Sequence, residues 1–440
     1  MREQIEGSKA VAKVIAACAP HVICAYPISP QTHIVEELSR LAKVGDLPNC
    51  EYVNVESEFA AMSVAIGASA TGARAYTATA SQGLLYMVEA VYNASGMRLP
   101  IVMTVANRAI GGPINIWNDH GDAMSQRDCG WIQLYAEDNQ EAADLHVQAF
   151  RIAEIMSMPV MVCMDGFILT HAVEPVDVPE REQVERYLPD NDPRQKLDPQ
   201  APITIGSMVG PEAFTEVRYL AHLRSHESLE VIEQAGAEFE EIFGRASGGL
   251  LRTYRCEDAE TIVVALGSLV GTLKDVIDTR REAGERIGVL SLCSFRPFPD
   301  EAIVEALRGA RRVIVAEKAF SVGIGGIVTD DVRRAFGARA GEDGLSAPEI
   351  RTVVMGLGGR PITQRSLHTL LDGAADLEPL TFMDLDRSVI EAELERGRAA
   401  RMRRRALPDE EAGDRPEPAL SGATATSATP TSSGQSGDPR

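Results

Sequence analysis

The chain has 440 residues, of which 45% are apolar, enough for two or three domains that each bury a core. Its 43 lysines and arginines against 64 acids give a formal net charge of −21, which argues against a general nucleic-acid binder and an anionic membrane partner. No apolar run approaches the ~18 residues of a membrane helix, and no secretory signal opens the chain, so we expect a cytoplasmic protein. The seven cysteines include no CxxC pair, which predicts free thiols and no self-contained cysteine-ligated cluster.

Residues 1–173 alternate apolar, β-branched runs with helical patterns. This alternation is typical of a doubly wound α/β domain, a mostly parallel sheet covered by helices on both faces. Strands are predicted at His21–Ala25, Tyr52–Val55, Ala73–Thr77, Ile101–Ala106, Ile132–Tyr135 and Val160–Met164. Helices are predicted at Gly7–Cys18, Thr32–Ala42, Glu56–Ala70, Gly83–Gly96 and Asn139–Met156.

Residues 174–259 are predicted to be a proline-rich linker and a helical connection. The linker part, 174–205, has six prolines among charged residues, a composition that disfavours helix and central strand. The connecting helix is predicted at about Pro211–Phe243.

A second doubly wound α/β domain is predicted over residues 260–385. Its strands are expected at Thr261–Leu266, Ile287–Leu292, Val313–Lys318 and Arg351–Gly356, and its helices at Gly271–Ala283 and Asp300–Leu307, after a turn at Arg296–Pro299. Residues 386–440 are predicted to be an arginine-dense helix end followed, from 407, by an unpatterned tail that we expect to be disordered.

Four loops of the first domain follow predicted strands, at the edge where doubly wound sheets bind their ligands. The first, AYPISPQT (25–32), presents Ser29 just ahead of a helix, with Pro30 suited to the first helical turn. An ordinary helix start with Ser29 as N-cap explains this segment. Alternatively, the hydroxyl and the free backbone N–H groups form a site for an anion or a carbonyl.

The second loop, VNVESEFAA (53–61), places Glu56 and Glu58 between a strand and a helix of small residues. Acids at a helix start interact favourably with the helix dipole, and this is one explanation. The alternative is that one glutamate is buried among apolar neighbours and serves as a proton donor and acceptor.

The third and fourth loops carry the remaining candidates. Ser81-Gln82-Gly83 follows a strand, and its glycine would let a ligand ring lie on the backbone. The fourth loop, 105–131, is long for a compact domain, which is typical of a functional loop. In it, Arg108 either pairs with a structural acid or binds a carboxylate substrate through its forked guanidinium. Three further side chains either ligate a metal, hydrogen-bond within the loop or line an active site: Asp119, His120 and Asp122.

Ten sequence blocks stand in the order of one known family. They are YPISPQTHIVE (26–36), EYVNVESEFAAMS (51–63), TATASQGLLYM (77–87), ASGMRLPIVMTVANRA (94–109), GPINIWNDHGD (112–122), GWIQLYAEDNQE (130–141), MDGFILTH (164–171), GSLVGT (267–272), FRPFP (295–299) and GLGGRPIT (356–363). Together they resemble the alpha subunit of pyruvate:ferredoxin oxidoreductase, one of the thiamine-diphosphate-dependent 2-oxoacid:ferredoxin oxidoreductases. The resemblance covers about residues 1–375.

The resemblance implies that residues 1–173 are the domain that binds the pyrimidine of thiamine diphosphate. Residues 260–385 would be the domain similar to the C-terminal domain of transketolase. Glu58, in ESEFAA, would hydrogen-bond N1′ of the aminopyrimidine, with Ser81, Gln82 and Gly83 beside the cofactor.

The same resemblance assigns the substrate side of the site. Arg108, in VANRA, and Ser29, in YPISP, would contact the 2-oxoacid, and Thr32 would lie close to it. Many members have threonine at the position of Ser29, so this chain retains the hydroxyl and lacks a methyl group. The implied reaction is oxidative decarboxylation of pyruvate with coenzyme A to acetyl-CoA and CO2, with ferredoxin as electron acceptor.

Two motifs of this enzyme class are missing from the chain. It has no GDG segment followed by an asparagine pair, which would hold Mg2+ and the diphosphate, and no ferredoxin-like cysteine series. The resemblance therefore implies activity only in a complex. A beta subunit would bind the diphosphate and Mg2+, a delta subunit would carry [4Fe-4S] clusters, and a gamma subunit would complete the assembly.

Other interpretations stay open on the sequence alone. Within the family, the substrate would instead be phenylglyoxylate, oxalate or a branched-chain 2-oxoacid. A non-catalytic scaffold subunit is a second alternative, against which the retention of Glu58 and Arg108 argues. A nicotinamide-dependent enzyme is disfavoured because no GxGxxG opens a helix after a strand, and GIGG (323–326) lacks that context.

Overall fold

The computed structural model describes residues 2–342 and 345–405, without the side chains of 403–405. The chain divides into a compact unit that ends at Asp384 and a second unit that begins at Leu385. The described part of the second unit is one helix, Arg387–Arg405. The tail predicted from residue 407 lies outside the described residues. No helix in the described ranges combines the length and apolarity needed to cross a membrane.

The first half of the compact unit alternates strands and helices as the sequence pattern predicts. In chain order its elements are β1 Arg2–Glu6, α1 Gly7–Ala17, β2 Val22–Ala25, α2 Thr32–Val44, β3 Glu51–Asn54, α3 Glu58–Ala70, β4 Ala75–Thr79, α4 Ser81–Tyr86, α5 Val88–Gly96, β5 Ile101–Asn107, α6 Gly121–Ser125, β6 Ile132–Tyr135, α7 Asn139–Met156 and β7 Val160–Asp165.

The second half contains a long helix and a second set of alternating elements. They are β8 Val173–Asp177, α8 Arg181–Tyr187, α9 Phe214–Phe243, β9 Leu251–Tyr254, β10 Thr261–Ala265, α10 Leu269–Glu282, β11 Ile287–Leu292, β12 Ser294–Arg296, α11 Asp300–Leu307, β13 Arg312–Glu317, α12 Ile327–Ala338, β14 Glu349–Val354, α13 Gln364–Asp372 and β15 Leu380–Phe382. A single 3-10 turn, Leu357–Gly359, precedes α13.

Two mostly parallel sheets form the core of the compact unit. The first has seven strands in the order β12-β6-β7-β5-β4-β2-β3, and the second has six in the order β15-β14-β13-β10-β11-β9. All pairs are parallel except those of β12 with β6 and β9 with β11. Strands β4, β5 and β7 are buried along their whole length, as in a sheet covered on both faces. The predicted fold class, two doubly wound α/β sheets, is confirmed.

The proline-rich segment is more ordered than its composition suggests. The expectation that it contains no helix is wrong, because α8 forms there, whereas no central strand is found in its described residues. Strand β8 pairs with β1 in a separate two-stranded antiparallel sheet, where an edge position tolerates Pro175. Helix α8 begins with a capping box in which Glu180 and Gln183 satisfy each other's backbone N–H groups. Local hydrogen bonds of this kind offset the unfavourable composition.

Two further local predictions are wrong. The helix expected over Gly83–Gly96 is two helices, α4 and α5, which meet at Met87. Arg296, expected in a turn, ends the short strand β12, which pairs with β6 of the first sheet. Residues beyond 260 therefore complete the first sheet. The domain boundaries given above remain a prediction.

A buried ionic cluster joins the two sheets. Asp165, at the end of β7, accepts hydrogen bonds from Lys318 Nζ at 2.5 Å and His120 Nε2 at 2.6 Å, and also from Ser268 Oγ. Burial raises the pKa of the Asp165 carboxyl, but Lys318 and His120 outweigh it and hold the pKa well below its usual range. The cluster lies where strands of both sheets end and fixes one sheet against the other.

We expect Lys318→Met to lower the free energy of unfolding by about 3–5 kcal/mol, because it leaves a buried carboxylate with one fewer counter-charge. The side chains of Lys318 and Asp165 are only 3% and 1% exposed. Lys274→Met is the matched control, since Lys274 pairs with Glu137 at a site where the lysine is 31% exposed. The Lys274→Met substitution should lower the free energy of unfolding by about 1 kcal/mol or less. Equal losses in chemical denaturation would contradict this account.

Candidate active site

The candidate residues lie on loops that follow four neighbouring strands. Ser29 follows β2, Glu58 follows β3, Ser81 follows β4 and Arg108 follows β5. These strands are adjacent in the order β5-β4-β2-β3, so their carboxyl ends share one edge of the sheet. This edge is where doubly wound sheets bind ligands.

Glu58 is the first residue of α3 and is buried, with 9% of its surface exposed. Ser57 caps the helix by accepting a hydrogen bond from Ala60 N at 3.1 Å. The Glu58 carboxyl lies over Gly83, where an added Cβ would be 2.7 Å from its Oε1. Glu56, by contrast, is exposed. Of the two glutamates, geometry therefore favours Glu58 as the buried proton donor and acceptor.

A second polar group, the Thr79 hydroxyl, lies close to Gly83, as the Glu58 carboxyl does. A Cβ at Gly83 would also lie 2.5 Å from Thr79 Oγ1, so any larger residue would displace Thr79 or Glu58. The Thr79 hydroxyl is buried and has no hydrogen-bond partner within the described ranges. Because buried polar groups are normally satisfied, this hydroxyl is available to a ligand. Sequence inspection missed Thr79, since a threonine inside a buried strand has no distinguishing local signal.

Asp122 organises the loops around the site. It accepts hydrogen bonds from the backbone N–H groups of Ser81 and Arg108, both at 2.9 Å, and from Asn107 Nδ2 at 2.9 Å. Burial raises the pKa of Asp122 to about 6, and these hydrogen bonds oppose that rise. One carboxylate thus holds the starts of two loops, those after β4 and β5, in a common arrangement.

Arg108 is nearly buried and has no acid partner for its side chain among the described residues. Its Nη1 donates to the Ser29 carbonyl at 2.8 Å and its Nε to the Asn115 carbonyl at 3.3 Å, and 7% of its surface is exposed. Burial lowers the pKa of the guanidinium, and Asp122 partly offsets this. Of the two alternatives left open, pairing of the side chain with a structural acid does not occur within the described residues. Guanidinium N–H groups beyond the two that bond the loop carbonyls remain.

Ser29 does not cap the following helix, and that prediction is wrong. Helix α2 begins at Thr32 with Gln31 at the cap position, so Pro30 precedes the first turn instead of lying in it. Gln31 is buried and its Nε2 donates to the Tyr26 and Ala78 carbonyls at 3.0 and 2.9 Å. These bonds fix the loop and leave Ser29 exposed beside Arg108, with Thr32 half-buried behind it.

Ser81 and Gln82 form a tight turn into α4. Ser81 has a positive φ of 50°, and its hydroxyl lies within hydrogen-bonding distance of the Ala109 carbonyl and of Gln82 Oε1, so its one proton is shared between these two acceptors. The Gln82 amide occupies the space that a Cβ on Gly111 would need. Both side chains therefore bind the loop after β5, while the α4 backbone at Gly83 faces Glu58.

The acids and histidine of the long loop do not converge. Asp119 accepts from the backbone of Gly121 and Gly358, whereas His120 binds Asp165. In residues 2–342 and 345–402, no group of three histidine, cysteine or acid side chains is placed to hold a metal. Hydrogen bonding within and around the loop is what these residues do in the structure.

The chain is an α/β protein of the doubly wound class, with polar loops at the carboxyl edge of its first sheet, the edge where this class binds ligands. Residues 13–237 match the family model of the thiamine-diphosphate-binding domain of pyruvate flavodoxin/ferredoxin oxidoreductases. Residues 259–367 match core domain II of pyruvate:ferredoxin oxidoreductase. The chain belongs to the pyruvate:ferredoxin oxidoreductase family.

Individual relatives agree with this assignment. The chain is 50% identical to the pyruvate synthase subunit PorA of Methanosarcina barkeri, over 84% of this chain and 91% of the relative. It is 42% identical to PorA of Thermotoga maritima, over 85% and 94%, and 37% identical to the ketoisovalerate oxidoreductase subunit VorA of Pyrococcus horikoshii, over 84% and 93%.

A solved structure shares the fold. It is a 2-oxoglutarate:ferredoxin oxidoreductase from Magnetococcus marinus, with 2-oxoglutarate, coenzyme A and succinyl-CoA bound, which superposes with a TM-score of 0.62 at 18% identity. The match covers 84% of this chain and 65% of the other, so this chain spans about two thirds of the solved one.

Proposed function

We propose that this chain is the alpha subunit of a pyruvate:ferredoxin oxidoreductase. The complex converts pyruvate and coenzyme A to acetyl-CoA and CO2 and passes the electrons to ferredoxin. The observation that carries the proposal is that the buried Glu58 carboxyl and the Arg108 cation lie on loops at one sheet edge, with no acid side chain among the described residues forming an ion pair with Arg108. A 2-oxoacid needs both a cation for its carboxylate and a proton-transferring group near its carbonyl.

The residues present fit the pyrimidine half of thiamine diphosphate. The support is the space above Gly83, the Glu58 carboxyl beside it and the orphaned Thr79 hydroxyl. When bound, the cofactor supplies the carbon nucleophile for the 2-oxo carbonyl and accepts the electron pair left by CO2. Glu58 would exchange a proton with the ring nitrogen N1′, and the backbone at Ser81, Gln82 and Gly83 would lie along the ring.

Arg108 and Ser29 would hold the substrate. The Arg108 guanidinium already donates to the Ser29 carbonyl, which places the Ser29 hydroxyl beside it. A carboxylate bound to the remaining guanidinium N–H groups would lie within reach of that hydroxyl. Thr32, in the first turn of α2, would border the substrate. In this arrangement the chain's residues would orient the 2-oxoacid by its charged end.

The remaining parts of the reaction belong to partner subunits. This sequence has no diphosphate and Mg2+ motif and no ferredoxin-like cysteine series. A beta subunit would therefore supply the diphosphate and Mg2+ site, and delta and gamma subunits would supply the [4Fe-4S] clusters and complete the complex.

The chain purified alone should bind thiamine diphosphate only weakly and show no oxidoreductase activity. The lone chain would contact only the pyrimidine half of thiamine diphosphate, so most of the free energy of cofactor binding would be missing. Isothermal titration calorimetry on the lone chain and on the assembled complex measures this difference. Tight one-to-one binding by the lone chain would show that the subunit division proposed here is wrong.

Substrate identity separates the proposal from its nearest alternative. The chain is 42–50% identical to several PorA subunits and 37% identical to a ketoisovalerate subunit, which favours pyruvate. Coenzyme-A-dependent ferredoxin reduction by the complex should show a higher kcat/KM for pyruvate than for 2-oxoisovalerate. The reverse order would move the assignment to the branched-chain enzyme, and no turnover of either by a complete complex would favour a scaffold.

A further inference from the structure

A cavity lined by charged, polar and apolar residues lies at the amino ends of strands of the first sheet, opposite the candidate active site. It has a volume of about 200 Å³, and four arginines line it: Arg98, Arg127, Arg218 and Arg224. Arg98 precedes β5 and Arg127 precedes β6, so both lie at the amino ends of their strands, whereas Arg218 and Arg224 come from α9. The seven residues of β5 span ~20 Å, which separates this cavity from the candidate active site.

The four arginines are not neutralised by the rest of the protein. Across the described ranges, none of them has an acid within ion-pairing distance; the only acid in the lining, Asp128, forms no ion pair there. The Nε of Arg98 is buried without a hydrogen-bond partner. Burial lowers the pKa of Arg98 to about 10, with Arg224 and Arg194 adding to the effect. In a chain of net charge −21, this is a local concentration of positive charge.

Such an arrangement is unfavourable when empty, because like charges at a partly desolvated site repel one another. One carboxylate would balance only one guanidinium. A phosphoryl group carries up to two negative charges and three acceptor oxygens, which suit several forked donors at once. The volume equals several waters of ~30 Å³ each, enough for one or two phosphoryl groups. The Ser95 and Ser225 hydroxyls add neutral donors to the lining.

We propose that this cavity is a binding site for a phosphoryl anion, separate from the candidate active site. The ligand is either free pyrophosphate or phosphate, or the diphosphate of a nucleotide whose base lies outside the cavity. The proposal does not depend on the function proposed above, because binding is measured on the full chain directly.

Isothermal titration calorimetry of the full chain with pyrophosphate should show one saturable site. Arg98→Gln and Arg224→Gln should each weaken binding by about tenfold or more, the loss of a charge-assisted hydrogen bond. Arg311→Gln is the control, an exposed arginine outside the cavity that loses the same charge and should bind as the parent does. Parallel titrations with ADP and inorganic phosphate distinguish a nucleotide from a free anion.

Melting curves provide the second measurement. Without ligand, Arg98→Gln should leave the melting temperature unchanged or raise it, since repulsion is relieved. The same concentration of pyrophosphate should raise the melting temperature of the parent and of Arg311→Gln more than that of Arg98→Gln. A lowered melting temperature in Arg98→Gln, together with unchanged pyrophosphate affinity, would make Arg98 a structural residue and overturn the proposal. Absence of saturable binding, or citrate binding as tightly as pyrophosphate, would overturn it as well.

Discussion

In the assembled complex, Glu58→Gln should lower turnover by about 10²–10⁴-fold, the usual contribution of general acid–base catalysis. Glutamine keeps the size of the side chain and one hydrogen bond, but it does not exchange a proton with the pyrimidine. The carboxyl lies over Gly83 with 9% of Glu58 exposed, so water does not readily replace it. Steady-state turnover and the exchange rate of the thiazolium C2 proton are the two measurements.

The neighbouring acid provides the matched control. Glu56 is exposed at the same strand end, and Glu56→Gln should leave both rates essentially unchanged. If Glu58→Gln exchanges the C2 proton at the parent rate, Glu58 is not the proton-transferring group. A slow Glu56→Gln variant would transfer that role to Glu56.

Arg108→Lys should lower kcat/KM for the 2-oxoacid by about 10–150-fold although the charge is kept, because one charge-assisted hydrogen bond contributes ~1.5–3 kcal/mol. The guanidinium uses two N–H groups on the Ser29 and Asn115 carbonyls and still has others for a carboxylate. The single ammonium group of lysine does not bind both the two loop carbonyls and the substrate carboxylate. The effect should appear mainly in KM, with binding of coenzyme A unchanged.

A purely structural arginine behaves differently. Arg74 is 6% exposed, close to the 7% of Arg108, but it pairs with Glu154 and the Cys18 carbonyl. Arg74→Lys should lower the melting temperature and leave KM for the 2-oxoacid at the parent value. If Arg108→Lys follows this pattern, with a lower melting temperature and unchanged kcat/KM, its role in binding the carboxylate is excluded.

Local sequence patterns predicted most of the secondary structure. Four elements match their predicted bounds residue for residue, namely Ile132–Tyr135, Asn139–Met156, Ile287–Leu292 and Asp300–Leu307. In each, apolar periodicity and a turn or capping residue at the start agree, as with Asp138, which accepts a hydrogen bond from Glu141 N at the start of α7. One prediction was wrong because an element depended on a distant partner, as β12 does on β6. Others were wrong for local reasons, as where the capping box of Glu180 and Gln183 starts α8.

In the candidate site, too, the sequence predicted some features and only the structure decided others. Residue type and position next to a strand end singled out Ser29, Arg108 and the pair Glu56 and Glu58 without any coordinates, and the family resemblance implied Glu58 of that pair. Which glutamate is buried, and what Arg108 contacts, depended on the fold, because its hydrogen bond to Ser29 spans 79 residues. Asp122 appeared in the sequence as one acid among several in a loop, and only the structure shows its contacts to two neighbouring loops.

By itself, the sequence determined the family, through ordered blocks, and the α/β class, through alternating strand and helix periods. Periodicity is a property of neighbouring residues, and block order is a property of the chain as written, so neither requires coordinates. Tertiary structure alone decided that β12 completes the first sheet, that Asp165 and Lys318 join the two sheets, and that four arginines from separate elements share one cavity. These features are contacts between residues far apart in the chain, and no local periodicity encodes which distant side chain will lie opposite.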